Sequence, residues 1–158
     1  MNSVKTLLNA KKKELWTIGP RSKVIDALRL MNEKHIGALP VTIEDRLVGI
    51  FSERDLVRKT AETAAFSADT MVLELMSRNV LIVHPETTVE DCMNLMTDKH
   101  VRHLPVIQDR VLVGVVSIGD VIKEVISRQK RHISALEEYI SGSYGADTAE
   151  LLRDNPPT

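Results

Sequence analysis

Gly49-Ile50-Phe51-Ser52-Glu53-Arg54-Asp55 returns 65 residues later as Gly114-Val115-Val116-Ser117-Ile118-Gly119-Asp120. In both stretches an apolar run ends at a serine, and a carboxylate follows three residues on. The match extends outward. Leu47, Val48 and Gly49 fall on Leu112, Val113 and Gly114, and Leu39-Pro40-Val41 falls on Leu104-Pro105-Val106. Further upstream, Pro20, Val24, Asp26, Leu30, Met31, Lys34 and His35 fall on Pro85, Val89, Asp91, Leu95, Met96, Lys99 and His100. That makes 15 identities over the 42 positions from 18 to 59, with no gap. Self-similarity over such a span means two copies of one supersecondary unit.

Each copy reads the same way. Leu15 to Ile18 and Val80 to Val83 are short β-rich runs. Ser22 and Thr87 are the N-cap candidates that follow them. Val24, Ala27, Leu28 and Met31, and likewise Val89, Cys92, Met93 and Met96, recur at i, i+3, i+4 and i+7, one face of a helix. Two strands come next in each copy: Leu39–Ile43 and Leu47–Ser52, then Leu104–Ile107 and Val111–Ser117. Glu44-Asp45 and Asp109-Arg110 supply the turns. The near-continuous apolar strands predict burial on both faces. A second helix begins near Asp55 and Asp120. The fold class is therefore mixed α and β, two β-α-β-β-α units. The expected boundaries are 1–60 for the first copy with its N-terminal segment, 61–70 for a linker, 71–126 for the second copy, 127–141 for a helical extension and 142–158 for a flexible tail.

The composition suits such a pair. The chain has 158 residues, 43% of them hydrophobic and 27% charged, enough to fill a core without a staple. A single cysteine excludes an internal disulfide. No apolar run reaches the roughly 18 residues of a membrane span. Met1 to Leu8 is too short for a signal peptide's apolar core before the lysines at 11–13, so the expected setting is cytoplasmic. The net charge is -1 and aromatics are 3%, which argues against a nucleic-acid surface. Lys11–Lys13 and Arg128–Arg131 are small basic patches only.

Cys92 stands where the other copy has Ala27 and reads as a small core residue. His35 and His100 fall at helix C-termini, where a cap interacts favourably with free carbonyls. His100 and His103 share a helical spacing, but copy one has Ala38 for His103 and no carboxylate or thiol cluster accompanies them, so no metal is expected. No nucleophile or metalloprotease motif occurs, and the expectation is that the chain is not an enzyme. The two Ser-x-x-Asp devices cap helices, stabilising by about 1 kcal/mol each. The same geometry also suits a nucleotide: a helix N-terminus takes phosphate, and a carboxylate accepts ribose hydroxyls.

The paired Leu-Pro-Val and Gly-h-h-Ser-x-x-Asp stretches, over residues 1 to about 126, resemble a tandem CBS-domain pair, the Bateman module, of the stand-alone bacterial type. The resemblance implies two copies packed about a pseudo-twofold axis, with clefts that take adenosyl ligands such as AMP, ADP, ATP, NAD(H) or S-adenosylmethionine. It implies a regulatory role exerted on a separate partner, and pairing into a homodimer. By the same resemblance, one cleft would combine Ser52, Arg54 and Asp55 with Arg102, His103, Val80 and Ile82. The other would combine Ser117 and Asp120 with Thr17, Ile36, Gly37 and Ala38. Arg102 and His103 against Gly37 and Ala38 suggest that the first cleft prefers more phosphate. The rival reading is a structural interaction module without ligand.

The last pattern lies beyond the repeats. Ile122, Ile126, Gln129, Ile133, Leu136 and Ile140 are spaced +4, +3, +4, +3, +4, a heptad seam interrupted by one glutamine. Such a helix lies either on its own domain's core or across a subunit interface.

Overall fold

The computed structural model of the chain describes residues 2–11, 14–64 and 67–154, those from 143 onward as backbone. Lys12 and Lys13 of the N-terminal basic patch, two residues of the expected linker and the last four of the expected tail fall outside them. The element order is α1 (Val4–Lys11), α2 (Val24–Lys34), β1 (Ala38–Ile43), β2 (Arg46–Ser52), α3 (Glu53–Thr63), α4 (Val72–Leu75), α5 (Val89–Lys99), β3 (His103–Gln108), β4 (Val111–Ser117) and α6 (Ile118–Asp154). The chain divides into two units, Met1–Val121 with both copies and Ile122–Thr158 with the greater part of α6.

Each copy is built on an antiparallel hairpin, β1 with β2 and β3 with β4. The turns have two residues each. Glu44 and Asp45 have φ of 49° and 65°, and Asp109 and Arg110 have 51° and 66°. Positive φ at both central residues gives the twist that right-handed strands need across a two-residue loop, and the short polar side chains of Asp45 and Asp109 tolerate it. The pairing registers correspond: Leu39 faces Phe51, and Leu104 faces Val116.

The helices bury the predicted face. Val24, Ala27 and Met31 of α2, and Val89, Cys92 and Met96 of α5, are buried. In copy one they close on Leu39, Val41, Phe51, Val72 and Leu75. Each such side chain removed from water contributes about 1.5–3 kcal/mol. Cys92 belongs to this packing. Burial, reinforced by the charge of Asp91, pushes its thiol up to about 11. Both helices end at a left-handed histidine, His35 with φ 55° and His100 with φ 54°, whose N–H returns to Met31 O and Met96 O.

Four expectations are corrected. The short strands expected at 15–18 and 80–83 reduce to single parallel bridges, Ile18 to Val41 and Val83 to Val106. Their flanking residues leave the hairpin, so only one residue of each run pairs. The N-caps are Lys23 and Thr88 rather than Ser22 and Thr87, each one residue later. Thr88 Oγ1 accepts from Asp91 N at 3.0 Å. Lys23 has no such acceptor, and its place is set by the bridge to Met71. Met93, counted on the apolar face of its helix, is exposed. Finally, β1 and β3 have continuous buried stretches but β4 alternates, with Val111 and Val113 exposed on either side of buried Leu112. A two-stranded sheet with a helix on one side has only one face to bury in its outer strand.

The leading segments cross over. Val4 N–H donates to Thr87 O and Lys5 N–H to Pro85 O, so α1 is bonded to copy two. Val72 N–H donates to Ser22 O and Leu73 N–H to Pro20 O, so α4 is bonded to copy one. The hairpins also meet, with Leu112 N–H donating to Asp45 O at 3.2 Å.

Candidate functional site

The two Ser-x-x-Asp devices form as predicted at the starts of α3 and α6, and they differ in their partners. In copy one, Asp55 is 5% exposed. Its Oδ2 accepts from Ser52 N at 2.8 Å and from the Ser52 hydroxyl at 3.0 Å. Its Oδ1 accepts from Arg58 at 2.9 Å and from the Ser77 hydroxyl at 3.2 Å. Ser77 is delivered by the stretch after α4, whose backbone bridges to Ile50 of β2. The carboxylate and the Ser52 proton are thus spent inside the fold.

In copy two, Ser117 N donates to Asp120 Oδ2 at 2.9 Å, and Asp120 N donates to the Ser117 hydroxyl at 3.2 Å. The two bonds form a reciprocal box, with the Ser117 hydroxyl as acceptor at the first turn of α6. The Asp120 side chain is 21% exposed, and Lys11 Nζ donates to its Oδ2 at 2.7 Å. Lys11 Nζ also donates to Val115 O at 3.1 Å. Burial alone would raise the Asp120 carboxyl. The bonds from Lys11 and Ser117 outweigh it and hold the group below its ordinary value.

A cavity of about 430 Å³ opens beside Asp120. Ser117, Asp120 and Val113 to Val115 line one side. Ile36, Gly37, Ala38 and Pro40 of copy one line another. Leu8 and Lys11 of α1, then Glu14, Leu15, Trp16, Lys34, His35 and His103, complete it. The Lys34 ammonium sits 4.2 Å from the centre of the Trp16 ring, a cation–π contact at the wall. An apolar surface with a few convergent polar groups is the usual character of a small-molecule site.

Of the second expected set, Ser117, Asp120, Ile36, Gly37 and Ala38 come together here. Thr17 does not line the cavity; its neighbours Leu15 and Trp16 do. His103, expected in the first set, stands in this cavity. As the first residue of β3 it pairs with Ser117, so strand register places it beside its own copy's serine. Its ring lies against Gly37, where an added Cβ would meet Cε1 at 3.7 Å. Burial, then the nearby Lys11 charge, lowers the imidazole pKa despite the opposing pull of Asp120. The rest of the first set is less concentrated. Arg54 Nη1 donates to His100 O at 3.0 Å, bridging to copy two. Arg102 offers its carbonyl to Ile118 N at 2.8 Å. Val80 is half-buried and Ile82 exposed.

Sequence reasoning missed Lys11, Ser77 and Trp16 as members of these arrangements. Lys11 was visible only as one of three consecutive lysines, and no periodicity tied α1 to the second copy. Among the described residues no cluster of three or more His, Cys, Asp or Glu could hold a metal ion. None of the described helices is long and apolar enough to cross a membrane.

The CBS-domain pattern matches the chain twice, at residues 7–62 and 72–127. The chain belongs to the CBS-domain family. The mitochondrial CBS domain-containing protein CBSX3 of Arabidopsis thaliana is 39% identical over 126 residues, a match covering 77% of this chain and 61% of that protein. The crystal structure of the CBS domain NE2398 superposes with a TM-score of 0.74 at 42% identity, over 79% of this chain and 98% of that one. Two further CBS structures hold adenosyl ligands. CBSX2 was solved with AMP (27% identity, TM-score 0.68, covering 82% and 99%). The CBS pair of protein MJ0100 was solved with 5-methylthioadenosine and S-adenosyl-L-methionine (25% identity, TM-score 0.70, covering 81% and 98%). This chain is a tandem CBS pair.

Proposed function

We propose that the chain is a regulatory sensor that binds an adenine nucleotide (AMP, ADP, ATP or NAD(H)) in the cavity beside Asp120. It signals to a separate protein and catalyses nothing itself. The observation that carries this reading is the contrast at the two carboxylates. Asp120 borders a cavity and receives both its Lys11 and its Ser117 bonds on Oδ2. Oδ1 is the natural acceptor for ribose hydroxyls. At the start of α6, where Ile118 N–H and Asp120 N–H are already engaged, the Ser117 hydroxyl suits an anionic group. Lys11 adds positive charge when the ligand brings phosphate, and the His103 ring offers a polar contact. Trp16, Ile36 and Val113 supply the apolar wall for a base. Asp55 is fully engaged, so the equivalent place in copy one is secondary.

The AMP and S-adenosylmethionine complexes of related CBS pairs support the same ligand class. A ligand on Oδ1 sits beside the Lys11 bond to Oδ2, and Lys11 belongs to α1. Occupancy therefore shifts α1 only as far as the ligand binds a shifted α1 more tightly. A thermal-shift series with AMP, ADP, ATP, NAD⁺, NADH, S-adenosylmethionine and GTP tests the reading. A ligand at 100 times its Kd raises stability by about 2.7 kcal/mol. Stabilisation restricted to adenosyl ligands is expected. No shift with any of them, in protein shown free of co-purified nucleotide, would favour an interaction module without ligand.

A further inference from the structure

The seam at the end of the chain carries an inference of its own, independent of the ligand. Ile122 (50% exposed), Ile126 (46%), Ile133 (54%), Leu136 (49%) and Ile140 (52%) form one uncovered apolar stripe along α6. Their alternating spacing of four and three keeps to a 3.5-residue repeat. That repeat suits a partner helix, whereas a helix lying on a globular core carries a broader stripe. From Ile122 to Ile140 the seam runs about 27 Å at 1.5 Å per residue.

We propose that this seam is covered by the same seam of a second copy, running antiparallel. In that register Ile122 lies opposite the partner's Ile140, Ile126 opposite the partner's Leu136, and Gln129 opposite the partner's Ile133. Charge selects the direction. Lys123, Lys130 and Glu137 flank the seam at equivalent heptad positions, and all three are exposed. The antiparallel register brings Lys123 beside the partner's Glu137, a contact that the symmetry of the pair repeats, and sets Lys130 beside the partner's Lys130 once. A parallel pairing stacks Gln129 on the partner's Gln129 and makes no such Lys–Glu contact.

Light scattering on the full chain tests the pairing, and the result expected is twice the chain mass. Ile126→Glu with Leu136→Glu should give a monomer with an unchanged melting temperature, because both side chains are exposed. Lys123→Glu should weaken the dimer at least several-fold, and adding Glu137→Lys should restore it. Direction is read by oxidation. Separately prepared Ile122→Cys and Ile140→Cys chains should form a mixed disulfide when combined, and neither should link to itself. A wild-type monomer at all concentrations, a dimer indifferent to the two glutamates, or self-linking of Ile140→Cys would each overturn the proposal.

Discussion

The two CBS copies share a hairpin register, a turn type and a left-handed histidine cap, yet they use the same serine and aspartate differently. Asp55 is an internal strut, with Ser52, Arg58 and Ser77 saturating it. Asp120 borders a cavity and is met by a lysine from the segment that crosses over from the chain's start. The lesson is that a capping motif becomes a binding motif only where its carboxylate keeps an acceptor and the adjoining segment leaves room. In copy one, the stretch after α4 lies close enough that Ser77 reaches the carboxylate. In copy two, α1 ends at Lys11, which touches a single oxygen and leaves the cavity beside it.

The largest expected effect is on stability, in copy one. Asp55→Ala removes a buried acceptor from four donors and should cost about 3 kcal/mol in chemical denaturation. Asp120→Ala, partly exposed, should cost less than about 1 kcal/mol. Equal losses would erase the distinction between strut and site.

Glycine packing sharpens it next. A Cβ at Gly49 would meet Met76 Sδ at 2.8 Å and the Ser77 carbonyl at 2.9 Å, and the latter is backbone. A Cβ at Gly114 would meet Leu8 Cδ2 at 2.7 Å, the far end of a flexible side chain. Gly49→Ala should therefore destabilise by roughly 1–3 kcal/mol, and Gly114→Ala by appreciably less. The ordering of the two denaturation midpoints checks it.

Smaller effects follow from pH. The His103 imidazole pKa is lowered in the fold, so below about 6.5 the unfolded chain binds more protons than the native one. Its contribution is intact above that value and is lost as pH falls towards the folded value. His103→Gln should flatten that part of the stability profile, and copy one, with Ala38, offers no counterpart. The Asp120 carboxyl is also held low, so the Lys11 contact persists above the ordinary carboxylate range and is lost only in stronger acid. Asp120→Asn should remove that acid limb, an effect of less than about 1 kcal/mol given its exposure.

Much of this was legible in the sequence. The repeat, the two hairpins and the buried faces of α2 and α5 follow from spacing alone, because each is a local pattern with a fixed period. The Ser-x-x-Asp pairs were legible as caps and, through family resemblance, as ligand contacts. What escaped depends on which segments meet. Ile18 and Val83 pair as single residues, too little to leave an alternating pattern. Lys11 reaches Asp120 because α1 bonds to Thr87 and Pro85, a crossing that local periodicity does not encode. His103 went to the cavity of its own copy because its strand begins opposite Ser117. Ser77 had no motif around it and became Asp55's partner through the bridge at Ile50.

The most direct test of the account is a calorimetric titration of AMP into the wild type, Asp120→Ala and Asp55→Ala, each at a temperature where it is folded. The account predicts a principal site in the wild type, binding weakened at least tenfold (about 1.4 kcal/mol) by Asp120→Ala and largely retained by Asp55→Ala. Binding indifferent to Asp120→Ala, or abolished by Asp55→Ala in folded protein, would contradict it.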